Sequence, residues 1–242
     1  MYIYVINLDR CEDRMAEFSH ANSHMPDIQR FSAIDGQTID RQQLVEANTI
    51  SADLSYTDGA IGCALSHLFF WEAADTQKSE ITVCEDDAIF HESFPSTAPR
   101  LVASLPRDWD LVMWGWNFDS ILWFDLMPGI SPCLATFSQE QLRDAVSEFQ
   151  KRNLSPSLFR LLRAFGTICY TVSSAGARKL MELSLPLHPL TVSFPMVNPE
   201  FQNNGIDIVM NSVYPQLNAY VSFPPLVITK NEHAGSTVRR QN

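Results

Sequence analysis

The run Ile81-Thr82-Val83-Cys84 passes without a spacer into Glu85-Asp86-Asp87, and this junction constrains the chain more than any other feature. Four apolar or β-branched residues read as a buried central strand. Three adjacent carboxylates repel one another and need a compensating cation or hydrogen-bond donors. In an open α/β sheet, ligands bind at the carboxyl ends of the strands, where this triplet would lie. Hard oxygen ligands suit Mg²⁺ or Mn²⁺, which commonly take one or two carboxylates together with phosphate oxygens. The alternative is a solvated acidic turn.

The surrounding pattern favours an α/β domain over an all-β sandwich. Residues 2–8 read as a short buried strand and residues 9–24 as a helix carrying Met15 and Phe18, while residues 31–34 read as a second strand closed by Asp35-Gly36. Residues 41–47 look helical. A helix over 60–74, capped by Thr57 or Asp58, is apolar on most faces, so Ser66 and His67 within it are conspicuous. Residues 111–114 and 167–172 read as further strands and 174–183 as a helix. Residues 138–152 place Leu142, Ala145, Val146 and Phe149 on one stripe of an amphipathic helix.

With 242 residues, 45% hydrophobic and 19% charged, the chain can bury a substantial core, and a single domain over 1–242 is expected. The 17 Lys and Arg against 28 Asp and Glu leave a net charge of -11, which would repel a phosphate backbone and argues against a nucleic-acid partner. Five scattered cysteines without a C-x-x-C pair read as free thiols. Neither a cationic leader with a small-residue cleavage site nor a run of about 18 apolar residues is present, which points to the cytosol. No P-loop, dinucleotide fingerprint or G-x-S-x-G elbow occurs, and Ser66 and His67, about 100° apart on a helix, do not make a nucleophile-base pair. A lone His67 is more often a core histidine than a catalyst.

Read in order, Tyr4-Val5-Ile6-Asn7-Leu8-Asp9-Arg10 with Asp13-Arg14, Ala33-Ile34-Asp35-Gly36, residues 59–67 ending in Leu65-Ser66-His67, and Val83 to Phe90 form four motifs in sequence. In this order and spacing they resemble glycosyltransferase family 25, the lipooligosaccharide galactosyltransferase family. The likeness continues through Trp109 to Val112, Gly166 to Tyr170 and Ser173 to Leu180. It implies a GT-A type fold with a Rossmann-like mixed sheet flanked by helices, in one glycosyltransferase domain whose N-terminal part holds the donor and whose C-terminal part holds the acceptor. It also implies a UDP-sugar donor, usually UDP-galactose, and inverting transfer to a hydroxyl of a lipooligosaccharide or other bacterial surface glycan.

The same resemblance makes Glu85-Asp86-Asp87 the counterpart of the D-x-D motif, with Asp87 and Glu85 as ligands of Mn²⁺ or Mg²⁺ and Asp86 facing the ribose or sugar. Asp207, in a segment resembling the family's C-terminal aspartate region, is the candidate base that takes the acceptor's proton; the competing reading is a helix N-cap. Donor contacts are expected from Asn7, Asp9, Arg10 and Arg14 at the first strand's end, from Asp35 and Gly36, and from Ser66 and His67. Lys230 is a candidate for the diphosphate and His233 for a late metal ligand, against ordinary solvated loop residues.

Between Glu148 and Glu182 there is no acidic residue but six basic ones, including Arg160 and Arg163. The apolar and arginine composition of residues 158–165 suits an interfacial helix on an anionic membrane, or a core helix with snorkelling arginines. Two other functions use the same residues: a metal-dependent phosphoester hydrolase, and a non-catalytic nucleotide- or glycan-binding relative.

Overall fold

In the computed structural model, residues 2–194 and 197–230 are described, 197–199 by backbone alone. The strands are β1 (Ile3–Asn7), β2 (Ile28–Ser32), β3 (Ile81–Glu85), β4 (Ala88–Phe90), β5 (Leu111–Gly115), β6 (Ile121–Met127), β7 (Ser131–Thr136), β8 (Ser157–Ala164), β9 (Cys169–Val172), β10 (Thr191–Phe194), β11 (Val197–Gln202), β12 (Ala219–Phe223) and β13 (Val227–Thr229). The helices are α1 (Glu12–Ala21), α2 (Arg41–Glu46), α3 (Asp58–Gln77), α4 (Phe94–Ala103), α5 (Gln139–Asp144), α6 (Val146–Lys151), α7 (Ser174–Ser184) and α8 (Ile206–Val213).

Nine strands form one mixed sheet in the order β2-β1-β3-β9-β5-β12-β8-β6-β7. β1 pairs in parallel with β2 and β3, and β9 runs antiparallel between β3 and β5. The carboxyl ends of β2, β1, β3 and β5 therefore share an edge with the amino end of β9. Alternation along each central strand sends Val83, Met113 and Tyr170 into one core and Cys84, Trp114 and Cys169 into the other. Helices α3, α7 and α8 contribute to the first core, and α1 and α4 cover the second. The expected Rossmann-like α/β layering is present.

Helix α3 is apolar nearly all round because it is buried along most of its length. Thr57 caps it, its hydroxyl accepting from the Ala60 N–H at 3.1 Å, an interaction worth about 1 kcal/mol. Its first turns lie against the chain that follows β2. A Cβ on Gly36 would stand 1.8 Å from the Asp58 carbonyl oxygen, and one on Gly62 2.3 Å from that of Ile34. These two glycines let backbone meet backbone and bring Asp35 to the sheet edge.

Three expectations fail. Residues 138–152 are two short helices, α5 and α6, separated at Ala145. They dock on different neighbours: Gln139 and Arg143 of α5 donate to the Lys230 carbonyl, whereas Gln150 of α6 reaches Ala21 and Phe90.

Residues 158–165 are not a helix, interfacial or internal. They form β8, between β12 and β6. The three-residue spacing of Arg160 and Arg163 mimics a helical stripe, but a register shift opposite Trp123 and Phe124 inserts an extra residue and accommodates that spacing in a strand. Arg160 donates to Asn218 and the Leu217 carbonyl and lies over the Tyr220 ring, while half-buried Arg163 donates to the Leu162 carbonyl and lies over Trp123. The membrane-contact expectation through these arginines loses its basis.

Arg152 pairs with Glu148, Arg178 with Asp75, and Lys179 with the fully buried Asp110 at 2.8 Å. Among the described residues, no helix is long and apolar enough to cross a membrane.

Candidate functional site

A cleft of about 450 Å³ opens at the shared edge of β1, β2, β3, β5 and β9. Its back is formed by the amino-terminal half of α3 and its far side by the start of α8. The acidic triplet stands at its centre because β3 ends there.

The three carboxylates occupy different electrostatic positions. Asp86 is fully engaged: Arg14 Nε donates to its Oδ1 at 2.9 Å, with a second guanidinium contact to the same oxygen, and Asn7 Nδ2 donates to Oδ2 at 2.7 Å. Asn7 is buried and held in turn by Arg30, whose Nε donates to Asn7 Oδ1 at 2.9 Å. Asp86 thus anchors the triplet to β1 and α1.

Glu85 accepts from the Thr167 hydroxyl at 2.5 Å, and burial together with the neighbouring Asp87 charge pushes its carboxyl from 4.5 up to about 8. Asp87 is also raised by burial, although Arg14 opposes the shift. Its Oδ2 accepts from the Thr229 hydroxyl at 3.0 Å, while Oδ1 is buried with no hydrogen-bond partner among the described residues. A buried carboxylate oxygen without a donor is costly, and a cation is the group that relieves it. The donor set fits a hard divalent ion at Asp87 and Glu85. Among the described residues, no three His, Cys, Asp or Glu side chains could enclose an ion alone.

Asp207 reaches the cleft from the first turn of α8. It is not the N-cap, a position taken by Gly205. Its Oδ2 accepts from the Gly166 N–H at 2.9 Å and its Oδ1 from the Ile208 N–H at 3.0 Å. These donors orient the carboxylate beside the run Gly166–Ile168 that leads into β9.

Arg10 and Asp35 form an ion pair on the β1 and β2 side of the cleft, with Gly36 beside them. His67 is fully buried at the floor, and burial lowers its imidazole to about 3, so it is neutral. Tyr170 Oη lies 2.9 Å from His67 Nδ1 and accepts from Trp71 Nε1 at 2.9 Å. With no other acceptor for it among the described residues, the Tyr170 hydroxyl hydrogen goes to Nδ1. The imidazole hydrogen then sits on Nε2, which is buried and has no partner there.

Other expected contacts lie elsewhere. Ser66 is buried, accepting from the Ile34 N–H and donating to the Gly62 carbonyl, and does not line the cleft. Asp9 bonds Arg30 and Ser32 in an adjoining groove. Lys230 is exposed at the chain's surface, its carbonyl bonding α5. His233 lies outside the described residues. All five cysteines are free; Cys11 and Cys63 line the cleft, and Cys84 and Cys169 are buried across a β3/β9 pair.

Reasoning from sequence missed Thr167, Gly166 and Asn117, which complete the cleft wall opposite the arginines. For Asn117 the only available signal is its position just beyond an apolar strand, where sheets of this class place ligand-facing residues.

A family model described as glycosyltransferase family 25, LPS biosynthesis protein, matches residues 1–196. The chain belongs to glycosyltransferase family 25. This family 25 chain is 26% identical over 251 residues to the rat (Rattus norvegicus) probable inactive glycosyltransferase 25 family member 3, covering 97% of the chain and 39% of the rat protein. It is 29% identical over 196 residues to mouse (Mus musculus) procollagen galactosyltransferase 2, covering 74% of the chain and 27% of that protein. A glycosyltransferase 25 family member of Anopheles gambiae is 31% identical over 127 residues, 47% of the chain and 21% of the mosquito protein. The family 25 chain therefore spans well under half the length of these relatives.

Proposed function

We propose that this chain is a glycosyltransferase that moves a hexose from a UDP-linked donor to a hydroxyl of a glycan or glycolipid acceptor, with inversion and with a divalent ion at Glu85 and Asp87. Galactose is the favoured sugar, in keeping with the procollagen galactosyltransferase relative. The family model's link to LPS biosynthesis favours a surface-glycan acceptor such as lipooligosaccharide. The observation that carries the reading is the buried Oδ1 of Asp87, without a hydrogen-bond partner among the described residues, next to a carboxyl group already displaced from its ordinary range, at the carboxyl edge of the sheet.

Mn²⁺ or Mg²⁺, when bound, supplies positive charge that neutralises the donor diphosphate and the leaving nucleotide. Glu85 and Asp87 would hold it. Arg14 and Asn7 keep Asp86, and with it the backbone of the triplet, in position. Asp207, oriented by the Gly166 N–H, accepts the proton of the attacking acceptor hydroxyl.

The test is calorimetric titration of UDP with and without Mn²⁺, paired with UDP release from UDP-galactose in the presence of a glycan acceptor. Metal-dependent UDP uptake and acceptor-dependent release are expected. Phosphate release from simple esters without UDP uptake would instead establish the hydrolase. A second reading has specific support, because relatives matching nearly the whole chain carry names marked inactive. A non-catalytic relative would bind UDP with Mn²⁺ and release none from the donor.

A further inference from the structure

The cleft is chemically asymmetric about β3. Its only described cations, Arg10 and Arg14, lie on the β1 side. Across the triplet, the wall from β5, the lead into β9 and the start of α8 presents two amides, those of Asn117 and Asn204, a hydroxyl and one carboxylate, with no Lys or Arg among the described residues. The cationic side suits a nucleoside diphosphate. The cation-free side suits a polyol, which is recognised chiefly by paired donors and acceptors.

Asn117 stands on that cation-free wall. Its backbone N–H donates to the Phe165 carbonyl at 2.8 Å, fixing the loop after β5 to the end of β8. Its side-chain amide makes no hydrogen bond to any described residue, although it lines the cleft and is half-buried. The amide packs flat against Gly166: a Cβ there would lie 2.5 Å from Asn117 Oδ1 and 2.6 Å from Cγ. Gly166 also has φ +81, a conformation that a side chain disfavours, so two independent demands retain glycine at this position. The N–H of the same glycine holds Asp207. One residue thus seats both the amide and the carboxylate proposed to act at the transferred sugar.

We propose that Asn117 is a specificity-determining residue that reads the hydroxyls of the donor's sugar, one amide offering both a donor and an acceptor. Gly166 is its positioning residue. This inference rests on the nucleotide-sugar reading above, and it concerns the sugar alone: Asn117 contributes to sugar choice and not to nucleotide binding.

The experiment is calorimetric titration, with Mn²⁺ present, of UDP, UDP-galactose and UDP-glucose into the wild-type chain, Asn117→Ala and the isosteric Asn117→Asp, whose folding is checked by thermal unfolding. UDP affinity is expected to stay within about twofold of wild type, while the ratio of affinities for the two epimeric donors falls roughly fivefold to tenfold, the scale of one hydrogen bond. An unchanged ratio in both variants overturns the proposal. So does a loss of UDP affinity matching that of the UDP-sugars, which would place Asn117 at the nucleotide. In both cases wild-type UDP binding would survive; its absence would instead remove the nucleotide-sugar reading itself.

Discussion

Arg14 clasps Asp86, its Nε 2.9 Å from Oδ1, across 72 residues of chain. The ion pair gives the three carboxylates separate tasks, because an oxygen already bonded to a guanidinium has little left to offer a metal. Asp86 is the anchor, and Asp87 and Glu85 are what remains for ligands. Truncating the cation as Arg14→Ala leaves a largely buried carboxylate without its partner and should cost about 1–3 kcal/mol. Urea unfolding checks this, and the double variant Arg14→Ala with Asp86→Asn should recover part of the loss.

Asp87→Asn removes the charge from the oxygen that lacks a donor. Metal-dependent UDP uptake and turnover should fall at least about a hundredfold. The melting temperature should hold or rise, because an unpaired buried charge has been removed. Wild-type Mn²⁺ affinity in this variant would assign the ion elsewhere.

The displaced Glu85 carboxyl sets a pH dependence. Burial and the Asp87 charge raise it from 4.5 to about 8, so between those values the folded state binds more protons than the unfolded one. Stability from this group is fully present below about 4.5 and declines as pH rises towards about 8. The metal-free protein should therefore melt at lower temperature as pH increases across that window, and Glu85→Gln should flatten the slope. A slope of the same size in the variant would refute the assignment. Mn²⁺ binding near neutral pH should release a proton, detectable as a buffer-dependent heat.

Asp207→Asn keeps the side chain's shape and one acceptor oxygen for the Gly166 N–H, at the loss of the one that faces the Ile208 N–H. Turnover should drop by about 10²–10⁴, the range for lost general-base help, with donor affinity nearly unchanged. Survival of both turnover and its pH profile would move the base to another residue.

Much of the amino-terminal fold is legible in the sequence because its cues are local. The apolar run before Glu85 forms β3, Thr57 caps α3, and the pattern over residues 2–47 yields β1, α1, β2 and α2 in order. Local cues misled where tertiary partners outweighed them. Arg160 and Arg163 carry a helical spacing, but β12 and β6 impose a strand and a register shift absorbs the mismatch. The stripe over residues 138–152 broke at Ala145 because its halves dock on different surfaces.

The sequence by itself determined that three carboxylates close a buried strand and need compensation, since covalent adjacency guarantees their repulsion in any fold. It could not determine which of them would be compensated. That depended on Asn7 and Arg14 arriving beside Asp86 and on Thr167 and Thr229 meeting Glu85 and Asp87, contacts made by residues far apart along the chain. Only the parallel pairing of β1 with β3 and the insertion of β9 beside it bring those donors to a single edge, leaving one oxygen of Asp87 unmatched among the described residues.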